Sequence, residues 1–172
     1  RFWGYGTASI EANFATQYKL FSPEGYDPLY PKKYGEFING AVDGKLLEEF
    51  SGKTRSDAVI VNSFGKDEFV KNSDRMRAIN LLGVKYIVDR VENGSTQDTF
   101  PIHTFEKVYS DNGWSIYKNN NAIPRIFLAG VYKTVSEKEF SNVFFSPGFD
   151  PHSTILLENS IELKKSFNVT VA

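Results

Sequence analysis

The chain has 172 residues, a formal net charge of −1, no cysteine and 15% aromatic side chains. Its Lys and Arg residues are scattered among acids, which leaves no electrostatic footprint for nucleic acid, so no nucleic-acid partner is expected. The lack of cysteine excludes thiol catalysis, disulfides and thiolate metal sites, and no apolar run approaches the roughly 18 to 20 residues that span a bilayer.

In chain order, RFWGYG (1–6) reads as a short aromatic strand whose glycines permit a bend or a close backbone approach. Residues 7–25 lack clear periodicity and read as a long ordered loop. In Gly25-Tyr26-Asp27-Pro28 the Asp27 carboxylate either caps a helix opened by Pro28 or binds a ligand. Tyr34, Phe37 and Ile38 then form the buried face of a helix running from Pro31. Asp43-Gly44 turns the chain into a second apolar stripe at Leu46, Leu47 and Phe50. SGKT (51–54) looks like the end of a phosphate loop, but position 47, where that pattern needs glycine, is Leu, and no phosphate site is expected. AVIVN (58–62) fits a short strand or a helix start.

The segment 73–90 (SDRMRAINLLGVKYIVDR) changes period in its middle. Ser73 or Asp74 caps a helix carrying Met76, Ile79 and Leu82 on one face, and Gly83 ends it. Val84, Tyr86 and Val88 then alternate with Lys85, Ile87 and Asp89, which predicts a strand. After a polar loop (92–99), 105–109 and 114–118 form a hairpin around Asn112-Gly113, whose residues tolerate the positive φ of a tight turn. Residues 119–125 connect to IFLAGV (126–131), which is almost wholly apolar and is predicted to be a central strand. Ser136 and Glu139 have capping-box spacing at the head of a helix that buries Phe140, Val143 and Phe144. TILL (154–157) is a last strand. The expected fold is one soluble α/β domain over 1–172, with a mixed β-sheet, a β-hairpin and several packed helices.

Chemistry is sparse. His103 and His152 are the two histidines, and neither has a partner at metal-ligand spacing. There is no nucleophile elbow, so no catalytic residue, metal or cofactor is assigned. Arg125 opens an apolar segment where its charge needs a partner, either an acid near Asp27 or Asp89 or an acidic or sugar-phosphate ligand. Asn93-Gly94-Ser95 and Asn168-Val169-Thr170 match the N-glycosylation pattern, which is common by chance. Tyr5, Tyr26, Tyr30 and Trp114 could stack on sugar rings. The candidate ligand-binding residues are Tyr26, Asp27, Trp114 and Arg125.

Three pieces together carry a resemblance: LLGVKYIV (81–88); FEKVY (105–109) with WSIYKN (114–119); and NAIPRIF (121–127). With Gly25-Tyr26-Asp27-Pro28-Leu29, they resemble the exocytoplasmic region of YfhO-like polytopic membrane proteins of bacteria or archaea, whose layout is similar to that of GT-C glycosyltransferases. The resemblance runs in order over about residues 1–160, and Lys85-Tyr86 and Ala122-Pro124-Arg125 are its distinctive portions. It implies a domain outside the cytoplasmic membrane, tethered to the transmembrane region of a parent protein as its partner, in cell-surface glycan or glycolipid assembly. Read this way, the chain is a fragment of that parent, an accessory and non-catalytic domain with glycan or a lipid-linked sugar as a further partner. The residues alone leave two alternatives open: a self-contained hydrolase or transferase acting on a small substrate beside Asp27 and Arg125, and a protein-binding scaffold.

Overall fold

The computed structural model describes residues 1–11, 13–26, 30–46, 57–60 and 69–161. They form an α/β fold arranged as two compact units, Arg1–Phe127 and Leu128–Ala172. The elements of the first unit are β1 (Phe2–Gly4), α1 (Phe14–Gln17), β2 (Gly25–Tyr26), α2 (Lys32–Ile38), α3 (Gly40–Asp43), β3 (Asp57–Ala58), α4 (Ser73–Leu81), β4 (Tyr86–Arg90), β5 (Phe105–Asp111) and β6 (Trp114–Asn119). The second unit holds β7 (Val131–Thr134), α5 (Glu137–Phe144) and β8 (Thr154–Leu157). Among the described residues no helix is long and apolar enough to cross a membrane.

The main sheet is mixed, in the order β1-β4-β6-β5, with β1 parallel to β4 and the other neighbours antiparallel. The hairpin predicted around Asn112-Gly113 is β5–β6, and both turn residues take positive φ, 46° and 80°, as a two-residue turn requires. The segment predicted to run from helix into strand is α4 followed by β4, with Gly83 at φ 67° where the helix ends. The cap, however, is Asn72, whose side chain accepts the Arg75 amide at 3.0 Å. β2 and β3 form a separate two-residue antiparallel ribbon.

Side chains alternate across the sheet. Its inner face carries Trp3, Ile87, Tyr117 and Phe105, which pack with Ile38, Ala41, Met76, Ala78 and Ile79 of the helices into one core. Phe100 stacks on Tyr117 with ring centroids 4.1 Å apart and meets Tyr5 and Phe105 edge-on. Tyr5 is fully buried in this aromatic cluster and is therefore unavailable for stacking on a sugar.

Asp89 also points to the inner face, and a polar network accommodates it. The Asn93 amide nitrogen donates to Asp89 at 2.7 Å and to the Tyr5 carbonyl at 2.9 Å, while Ser95 donates to the same Asp89 oxygen. The Asn93 carbonyl oxygen accepts the backbone N–H and the hydroxyl of Thr7. Asn93 is thus buried with both ends of its amide engaged, and the glycosylation pattern it belongs to cannot be used in the folded protein. The second match, at Asn168, lies outside the described residues.

One predicted strand is absent. Residues 126–130 carry no strand, and Ile126 and Leu128 are 90% and 85% exposed. An apolar run is consistent with a buried strand only if neighbours offer a ladder, and pairing in this region begins at Val131 instead. There β7 runs parallel to β8 across α5, the arrangement of a β-α-β crossover. The predicted capping box is formed: the Ser136 amide and hydroxyl both donate to the Glu139 carboxylate, at 3.1 and 2.6 Å. These two bonds hold the Glu139 carboxyl below its ordinary pKa. Phe144 is the centre of the second unit's core, in ring contact with Phe140, Phe145 and Phe149.

Candidate functional site

Across β4, β6 and β5 the sheet has an exposed outer face, and its residues follow from the register. Tyr86 pairs with Lys118, Val88 with Ile116 and Arg90 with Trp114 across β4 and β6. On β5, Glu106 faces Lys118, Tyr109 faces Ile116 and Asp111 faces Trp114. Tyr109 reaches this face because of a bulge between Lys107 and Tyr109, which shifts the alternation by one residue. Tyr86, Tyr109 and Trp114 are 39%, 49% and 41% exposed, around half-buried Val88 and Ile116.

Charges border these aromatics in pairs. The Arg90 guanidinium lies 4.8 Å from the Trp114 ring centroid and donates to Glu92 at 2.6 Å. That contact holds the indole by a cation–π interaction, and the residue stays 41% exposed. Lys118 donates to Glu106 across the strands at 2.8 Å, which raises the lysine pKa, and Asp111 closes the end of the face. The result is a shallow platform with aromatic surfaces inside and hydrogen-bonding groups around them.

The four residues singled out from the sequence do not form one site. Trp114 is on the platform. Arg125 is exposed with its guanidinium 3.9 Å from the Phe21 ring, so its partner is an aromatic face and not Asp89, whose carboxylate is held by Asn93 and Ser95. Phe21 adjoins β1 through the Phe2 amide, at the Tyr86–Lys118 end of the sheet. Trp114 stands at the other end of β6, about 13 Å away at the usual rise per residue. Tyr26 contributes backbone to the β2–β3 ribbon, and Asp27 lies outside the described residues. Tyr30 is half-buried.

A second polar feature lies under β1. Glu24 accepts the Ile60 amide at 2.8 Å, and the Trp3 indole N–H approaches the same carboxyl without the alignment of a full hydrogen bond. Burial dominates over both donors and pushes the Glu24 carboxyl up to about 7. Glu24 lines a cavity of about 10 Å³ together with Gly4, Ile10, Glu11 and Asn13, room for no more than one water. A raised carboxyl is what general acid–base chemistry uses, but this cavity admits no substrate. Among the described residues no group of His, Asp and Glu could hold a metal ion.

No family model matches the chain, and no curated protein and no solved structure is detectably similar to it.

Proposed function

We propose that this chain is an accessory, non-catalytic domain outside the cytoplasmic membrane, part of a multi-pass membrane protein of cell-surface glycan or glycolipid assembly, and that it holds glycan. The observation that carries the glycan part is that Tyr86, Tyr109 and Trp114 all lie on the exposed outer face of the sheet. Aromatic rings stack on the apolar faces of sugars, and paired charges at the border offer donors and acceptors to hydroxyl groups. Arg90 and Lys118 are already bonded to carboxylates, and a third cation, Lys85, lies 6.0 Å from the Tyr86 ring centroid. The membrane and assembly part rests on the resemblance at 81–88, 105–119 and 121–127.

The hydrolase or transferase reading finds less support, since the raised carboxyl of Glu24 faces a one-water cavity. A protein-binding scaffold is favoured by one observation, the exposure of Ile126 and Leu128.

Titration of the isotopically labelled chain with neutral and uronic-acid oligosaccharides separates these readings. Saturable amide shifts confined to β4, β5 and β6 are expected, and Trp114→Ala weakens binding about tenfold, the equivalent of ~1.4 kcal/mol. Shifts elsewhere, or equal binding by the variant, remove the platform from the account.

A further inference from the structure

We propose that Glu24 is a pH-operated latch, closed when its carboxyl is protonated, that holds the 22–24 loop and the β2–β3 ribbon against β1. The geometry supports this directly. One carboxyl oxygen takes the Ile60 amide just past β3, and Trp3 of β1 faces the same group. The Ser22 hydroxyl accepts the Glu24 amide, and the Tyr34 hydroxyl of α2 donates to the Pro23 carbonyl. Three separate parts of the chain therefore meet at one ionisable group: β1, the end of the ribbon and α2.

The charged and titratable groups around it decide the sign. From β1 comes the neutral Trp3 indole; from α2, Tyr34, whose own pKa is raised by burial, an effect that the charge of Arg1 opposes and that of Glu24 reinforces; from the cavity wall, Glu11. Among these described groups the cation, Arg1, acts on Tyr34 rather than on Glu24, and the two donors offset burial only in part. The closed state therefore holds the Glu24 proton up to about pH 7, whereas a solvated glutamate loses it near 4.5. A carboxyl raised in the closed state stabilises closure fully below pH 4.5, and that contribution disappears as pH rises through 7. Between those limits the closed-to-open ratio falls on the order of 100-fold.

Hydrogen exchange at the Ile60 amide, corrected for the intrinsic rate, reads the latch. We expect protection to fall on the order of 100-fold between pH 4.5 and pH 7 and to level off above it, and to stay level in Glu24→Gln, which keeps the acceptor but cannot ionise. The Ile87 amide of the main ladder serves as the reference that does not move. Flat protection in the wild-type chain, or the same fall in the glutamine variant, overturns the proposal. The carboxyl carbon of Glu24 gives a second readout in the unmodified chain: a titration midpoint near 4.5 also overturns it.

Discussion

Asn93→Ala destabilises the first unit by about 4 kcal/mol, enough to leave a domain of ordinary stability largely unfolded at modest urea. The reason is the number of groups that depend on one amide. Its nitrogen serves Asp89 and the Tyr5 carbonyl, and its oxygen serves the Thr7 amide and hydroxyl. Truncation removes all four bonds and leaves a buried carboxylate with Ser95 as its remaining partner in this network. A hydrogen bond to a buried group contributes about 1 kcal/mol net, and an orphaned charge costs more. Asn93→Asp adds a second test, because it sets a new carboxylate beside Asp89. Like charges in one buried site raise each other's pKa, so the variant regains stability as pH falls from 7 toward 4. Urea midpoints of both variants check this. A loss below about 1 kcal/mol for Asn93→Ala would show that the network is dispensable.

Gly4→Ala has an effect of similar size for a steric reason. A Cβ at Gly4 would lie 2.0 Å from the Ala8 carbonyl oxygen, 2.6 Å from its carbon and 2.8 Å from the Ser9 Cα. All three atoms are backbone, so no side chain can swing aside. Either β1 leaves its register beside β4 or the turn over residues 6–8 reorganises, at a cost of about 3 kcal/mol or more. Gly130→Ala is the control: a Cβ there meets nothing within 4 Å and the backbone is not left-handed, so its stability stays within about 0.5 kcal/mol of wild type. Thermal melts of the two variants side by side give the comparison, and equal melting temperatures would contradict the packing described for β1.

Local signals in the sequence carried to the structure wherever local chemistry decides the outcome. Asn112-Gly113 fixed the hairpin because few other pairs accept two positive φ values, and Ser136 with Glu139 marked the α5 start because both partners lie within one turn. Signals depending on distant pairing did not carry. The IFLAGV run had the composition of a central strand, but no strand pairs with it until Val131. The outer platform was only partly legible: Trp114 was singled out, whereas Tyr86 and Tyr109 were not. Tyr109 joins them through a bulge that simple alternation cannot show. Asn93 read as a modification signal because its partners Tyr5 and Thr7 lie more than eighty residues away. Glu24 gave no signal at all, since its character comes from Ile60 and Trp3 closing over it.

The proposed placement of this chain outside the membrane is tested most directly by labelling the full-length product in intact cells. The segment has no cysteine, and Ser110 is exposed on the hairpin, so Ser110→Cys supplies a single new thiol in it. With the unsubstituted protein as background, a membrane-impermeant maleimide is expected to label Ser110→Cys without permeabilisation, on a product that remains with the membrane fraction. Labelling only after lysis, or a product that leaves the membrane fraction, would contradict the account.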